Sequence, residues 1–361
     1  MKKLFLIFIT LLTLGAVACD TGQWQTVGPA GFTQDRGTFT DLYVYNGTPY
    51  LAFVDGSANF TVSVMKFENN SWNYVGAPGI SEKRVTDPYI AVINGTPYVS
   101  YGEYYGNRVQ VKKFNGTTWE TILNDPWGPA AIQEVNGVLY ASTSIGIQSY
   151  SNGVWTTVAP APAEGSSNVF TVSFGVPYIA YSQYLAAEGN YKVTVKKYMA
   201  GSWQLVGPER FSPAHRVSDI NLVVYAGTPY VAFTNFDEPY GYGSYNVIET
   251  MVMKFNGFTW AQVGIGSIGD HVYATDTHFT IQNGVPVVVY TDVKDWNYNG
   301  QISGKVTAKA YAYGLWQPIG DIGFTELGGY GVSSIFVENT TLYLCYPEGS
   351  NGYKATVMKY E

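Results

Sequence analysis

Beyond residue 20 the chain is built from short apolar runs separated by turn residues, with no helical periodicity anywhere. In the first stretch, Asp41-Leu-Tyr-Val-Tyr45 is followed by Asn46-Gly47, then Pro49-Tyr-Leu-Ala-Phe53, Thr61-Val-Ser-Val-Met-Lys-Phe67 and Trp72-Asn-Tyr-Val-Gly76. These read as four successive β-strands, a to d. Alternation of side chains about a strand suits sheets that pack on both faces. Asn-Gly pairs at 46–47, 94–95, 115–116, 136–137, 256–257 and 283–284 fall at a–b or c–d junctions. Both residues tolerate positive φ, so each pair predicts a tight hairpin.

The unit repeats. Trp recurs at 24, 72, 119, 155, 203, 260 and 316, and a Gly-x-Pro-Tyr signature or a variant of it recurs with third positions Pro49, Pro97, Leu139, Pro177, Pro229, Pro286 and Leu342. An aromatic stands five residues before six of the Trp, from Phe67 to Tyr311. Tyr360 has no Trp after it, and Trp24 has no aromatic before it. The two orphans complete each other, so the first strand is expected to finish the last unit. Units of about 49 residues, seven in number and closed in this way, predict an all-β fold, a seven-bladed β-propeller. An open solenoid needs no such closure.

The N-terminus reads differently. Lys2 and Lys3 precede an apolar run from Leu4 to Leu14, and Ala16-Val17-Ala18-Cys19 follows. The run is short for a membrane-spanning helix and suits an export signal over residues 1–18. Ala16-Val17-Ala18-Cys19 resembles a bacterial lipobox, which implies lipidation of Cys19; an ordinary signal cleaved after Ala18 is the competing reading. Residues 19–23 would then be a tether and 24–361 a single propeller domain, bacterial and lipid-anchored in the cell envelope or secreted. Four extended residues from Asp20 to Gln23 span about 14 Å, so an anchor on Cys19 would hold the tight-turn face near the bilayer. If Cys19 is acylated, Cys345, the second of two cysteines, has no partner, and it reads as a small buried hydrophobe.

Composition narrows the function. Charged residues make up 13% of the 361, and aromatics 16%. Without Lys2 and Lys3 the chain has 18 basic against 27 acidic side chains, a net charge of −9. That balance, with no basic stripe, speaks against nucleic acid as a partner.

Antiparallel order sends the a–b and c–d turns to one face and the longer b–c and d–a loops to the other. Function tends to sit on loops carried by a rigid scaffold, so the long-loop face is the expected binding face. Trp127, Tyr240, Tyr242, Tyr245, Trp296 and Tyr298 lie in these loops and suit a sugar ring or a protein partner. Strand a should line the central channel. Eight residues before the a–b turn Gly stand Asp87, Asp219 and Asp276; two residues further on come Tyr89, Asn221 and His278, expected to point the same way, with Asp41 in that second position in unit one. Such a funnel suits a polar ligand or Ca²⁺, or simply capped strand ends and channel water. His271 and His278 with Asp270 and Asp276 match no transition-metal spacing. Lys66, Lys113, Lys197, Lys254 and Lys359 read as edge residues with packed stems, and the seven Trp as packing elements. There is no Gly-x-Ser-x-Gly elbow. Sialidase-like arginine clusters and Ser-x-Asp-x-Gly-x-x-Trp boxes are absent.

The pattern Gly227 to Phe233, Val252 to Phe255 and Asn256 to Gly264 resembles bacterial exported repeat proteins. It is distantly similar to kelch-like and fucose-lectin-like propellers, which implies binding of proteins or glycans. The reading is a monomeric binding module for a glycan or an envelope or extracellular protein, with no catalytic residues assigned and no cofactor beyond that Ca²⁺. A polysaccharide hydrolase or lyase using Asp87, Asp219 or Asp276, and a non-catalytic envelope scaffold, are the alternatives.

Overall fold

The computed structural model describes residues 22–361 except 105–107, 127–130, 163–165, 187–189, 214–215, 237–247, 266–267, 270–272, 297–301 and 326–333. Its strands form seven four-stranded antiparallel blades in a ring. Blade 1 comprises Gly37–Tyr45, Thr48–Asp55, Thr61–Glu68 and Ser71–Tyr74 as strands a to d. Blades 2 to 6 follow in chain order, beginning at Val85, Ile132, Ser166, Arg216 and Tyr273. Blade 7 takes Ser334–Glu338, Thr341–Glu348 and Lys354–Tyr360 from the C-terminus and Trp24–Thr26 from the N-terminus. Trp24 pairs with Tyr360 in that sheet, so the two orphans of the repeat meet as expected. A single parallel pairing, Ile248 with Tyr273, joins blades 5 and 6.

The Trp-x-x-Val-Gly motif explains how blades hold one another. Every strand-d indole N–H donates to a backbone carbonyl of the preceding blade. Trp72 reaches Val27 (2.8 Å), Trp119 Val75 (2.8 Å), Trp260 Val206 (2.8 Å) and Trp316 Val263 (3.0 Å). Trp155 reaches Ile122 (2.9 Å) and Trp203 Pro160 (2.8 Å), and Trp24 closes the ring on Ile319 (2.9 Å). The motif's Val, or Ile in its place at 122 and 319, therefore supplies the acceptor in six junctions and Pro160 in the seventh, and its Gly makes room for the next blade's rings. Gly28 (φ 78°) and Gly207 (φ 77°) take the left-handed conformation, and a Cβ on either would lie 2.7 Å from Phe67 or Phe255. In three junctions an aromatic just past the Gly stacks flat on the same Trp: Phe32 on Trp72, Phe211 on Trp260 and Phe324 on Trp24. Offset stacking adds to the area such rings bury.

The Pro-Tyr signature has a matching role. Tyr50, Tyr98, Tyr178, Tyr230 and Tyr343 each face one of the recurring lysines across the b–c ladder. Lys254 Nζ lies 5.3 Å from the Tyr230 ring centre, as expected for a lysine stem packed on a ring.

Two of the expected Asn-Gly hairpins differ. Asn46-Gly47 and five further a–b turns place both central residues at positive φ, the two-residue turn that matches strand twist. At Asn115 and Asn256, however, the ladder ends at Phe114–Trp119 and Phe255–Trp260, leaving four-residue loops. There the Asn side-chain oxygen accepts from the amides two and three residues on, so the Asn acts through its side chain rather than its backbone.

Candidate functional site at the channel mouth

The first residues of strand a define the site, and a recurrent β-bulge shapes them. In blades 1, 2, 4, 5 and 6 the a–b register slips so that two residues of strand a oppose one of strand b. The single opposing residue is Phe53, Tyr101, Tyr181, Phe233 or Tyr290, each fully buried. A large ring under the bulge lifts the inner strand and re-aims its side chains. In four of these blades the first bulged residue is left-handed: Phe39 (φ 48°), Asp87 (φ 44°), Asp219 (φ 50°) and Asp276 (φ 50°). Asp tolerates that region; for a ring-bearing residue such as Phe it is a genuine outlier.

The bulge corrects one expectation. Asp87 and Tyr89, and their counterparts in blades 5 and 6, do not follow a two-residue alternation, because the extra residue breaks the period between them. All six nevertheless line one cavity of about 660 Å³, together with Asp41, Arg36, Thr40, Ser334 and Phe39. Phe39 stands eight residues before Gly47, the same place as the three Asp residues, so the spacing that found them also marks it. Thr40 and Ser334 carry no sequence signal. Ser334 Oγ is buried at the cavity wall without a hydrogen-bond partner among the described residues.

The position two after the bulge Asp stitches neighbouring blades. Asp41 Oδ2 accepts the Ile90 amide of blade 2 (2.8 Å), and Asn221 Nδ2 donates to Asp219 O and to Thr277 O of blade 6 (both 2.8 Å). Asp219 Oδ2 accepts the Thr234 hydroxyl (2.8 Å), which continues through Thr277 to Thr250 as a buried hydroxyl chain. Deeper in the channel, the Tyr43 hydroxyl donates to Glu134 of blade 3 (2.8 Å), and its ring packs on Phe336 of blade 7.

Burial dominates the electrostatics. It pushes the Asp41 carboxyl up from 3.8 to about 7, against the opposing pull of the Ile90 and Leu42 amides. Asp87 is also raised by burial, with the Thr86 hydroxyl opposing. Burial and then the charges of Asp87 and Asp41 raise the Tyr89 phenol to about 12. Cys345, fully buried near Thr40 and Asp41, is raised by burial to about 12. It is an inert thiol, as its apolar sequence context suggested.

Among the described residues no three His, Cys, Asp or Glu gather as a metal-ligand set. Trp127, Tyr240, Tyr242, Tyr245 and Tyr298 lie outside the described residues, as do Asp270 and His271. Trp296 ends strand b of blade 6, paired with Ile302.

No family model matches the chain, and no curated protein sequence is recognisably related. Solved structures do resemble it. An ulvan lyase representing a new polysaccharide lyase family superposes with TM-score 0.56 at 12% identity, over 91% of this chain and 94% of the lyase. A Trypanosoma rangeli sialidase mutant with trans-sialidase activity superposes with TM-score 0.50 at 11% identity, over 94% of this chain but 58% of the sialidase. A thermostable family-43 glycoside hydrolase aligns at TM-score 0.42, 11% identical over 82% of this chain and 98% of its own. At these identities the ulvan lyase and the sialidase bear on the fold alone.

Proposed function

We propose that the channel mouth is the active site of a polysaccharide-degrading hydrolase acting on a neutral glycan. The observation that carries this reading is Asp41: a carboxyl held near pKa 7 on the wall of a cavity that also holds Asp87, Asp219 and Asp276. Glycoside hydrolysis needs a carboxylic acid still protonated near neutral pH and an ionised carboxylate beside it. Asp41 would donate its proton to the glycosidic oxygen as the bond to the anomeric carbon breaks. Water would add to that carbon and give its proton to Asp219, which the Thr234 hydroxyl orients. The ulvan lyase and the sialidase superposed on this fold are carbohydrate-active proteins by name, which supports a saccharide substrate.

A lyase removes a proton beside a uronate carboxylate and so takes an anionic substrate. Among the described residues, four aspartates against Arg36 alone on the cavity wall favour a neutral chain instead. An exported, lipid-anchored form through Cys19 remains part of the proposal, since a polysaccharide is met outside the cell.

The test is turnover of neutral and uronate-containing polysaccharides, read as new reducing ends and as absorbance of unsaturated uronate. Reducing ends from a neutral chain, lost in Asp41→Asn and Asp219→Asn, would support the reading. Unsaturated uronate would replace it with the lyase. Tight binding with no turnover on any substrate would return the protein to the binding-module class.

A further inference from the structure

The opposite face carries a feature that the mouth does not use. At the a–b and c–d turns of blades 1, 2, 3 and 7, every non-glycine left-handed residue among those described is Asn: Asn46, Asn69, Asn70, Asn94, Asn136, Asn152 and Asn339. In blades 4 to 6 that position passes to Phe174 (φ 49°), Ala200, Ala226 and Tyr313 (φ 54°), with Asn283 kept only at the a–b turn of blade 6. A bulky side chain at positive φ is strained by roughly 1 kcal/mol or more, and here it stands exposed. Phe174 is 83% exposed and Tyr313 85%, and Phe258 in the neighbouring c–d loop is 90% exposed. Met199, Tyr225 and Leu315 at adjoining turns are exposed as well. Strain and exposed apolar area thus coincide on one arc of one face.

The charges of that arc are equally one-sided. Lys197 and Lys254 stand near the c–d turns, while every Asp and Glu between residues 166 and 318 falls, by its place in the sequence, toward the cavity end of a strand or in a b–c or d–a connection. A protein of net charge −7 therefore presents, among its described residues, a lysine-bearing rim free of carboxylates around projecting aromatic tips. The chain also enters the ring on this face, where Trp24 begins strand d of the adjacent blade 7. We propose that the tight-turn face of blades 4 to 6 docks on an anionic lipid bilayer, with Phe174, Phe258 and Tyr313 inserted at headgroup depth. Apolar insertion plus lysine attraction to anionic headgroups is the physics of interfacial binding. The arrangement leaves the channel mouth facing away from the membrane.

Residues 22–361 contain all four strands of every blade and close on themselves, so this chain is the unit to test, free of any lipid. Flotation with phosphatidylglycerol-containing vesicles and with phosphatidylcholine vesicles compares the wild type with the triple variant Phe174→Asn/Phe258→Asn/Tyr313→Asn. The expected result is binding to anionic vesicles that weakens at high salt and falls roughly tenfold or more in the variant. Phe174→Asn and Tyr313→Asn should meanwhile raise Tm, because Asn suits the left-handed turn that both residues now strain. Phe258→Asn alone carries the test if the combined variant is unstable, since Phe258 has no positive φ. Ile145→Asn, at a turn on the cavity face, should bind like the wild type. Absence of vesicle binding, or equal binding by wild type and the variants, overturns the proposal and assigns the tips to a protein partner.

Discussion

Replacing Asp41 by Asn should make the protein more stable and less active at the same time. In the fold the carboxyl titrates near 7, against 3.8 when unperturbed. Between those values the folded state keeps a proton that the unfolded chain releases. Stability therefore falls as pH rises from about 4 to about 7, by 1.36 kcal/mol for each unit, and is level above. Three units give an upper bound of about 4 kcal/mol; because Asp41 is half-buried rather than sealed, about 2 to 4 kcal/mol is expected. Asn keeps an oxygen to accept the Ile90 amide and carries no charge to desolvate. Urea unfolding at several pH values checks this through the difference between wild type and variant, which cancels every other titrating group. The variant should be close to the wild type near pH 4 and more stable by the full amount at pH 8. A difference that is constant with pH, or that grows toward acid, would refute the assignment of a raised Asp41. If Asp41 is the proton donor, wild-type kcat should also decline above about pH 7.

Other substitutions test the ring. Trp24→Ala removes the closing hydrogen bond to Ile319 and the stack on Phe324, and should cost about 3 kcal/mol by denaturant titration. Gly207→Ala adds a Cβ 2.7 Å from Phe255, whereas Gly47→Ala meets open space at the same φ of 77°. Both carry backbone strain of about 1 kcal/mol, so a lower Tm for Gly207→Ala measures the clash alone. Cys345 should resist thiol reagents at pH 8 until the protein unfolds, with the rate of modification tracking the unfolding transition.

The blade count, the closure of blade 7 by Trp24 and the tight hairpins are set locally, by which residues repeat and at what spacing. A two-residue Asn-Gly turn or an alternating strand needs no knowledge of its neighbours, and an unpaired Tyr360 at one end implies a partner at the other. The carbonyls that accept the indoles belong to other blades, 33 to 295 residues away, so the motif showed a Trp without showing its bond. The bulges were not legible because they depend on a large ring of strand b lying beneath strand a, as Tyr101 does in blade 2. That choice gathered Phe39 with three aspartates at one mouth. Asn115 and Asn46 share a dipeptide but not a turn, since ladder length across the hairpin decides which is formed. The proton affinity of Asp41 comes last in this order, because desolvation is a property of everything packed around a carboxyl and of no residue in the chain by itself.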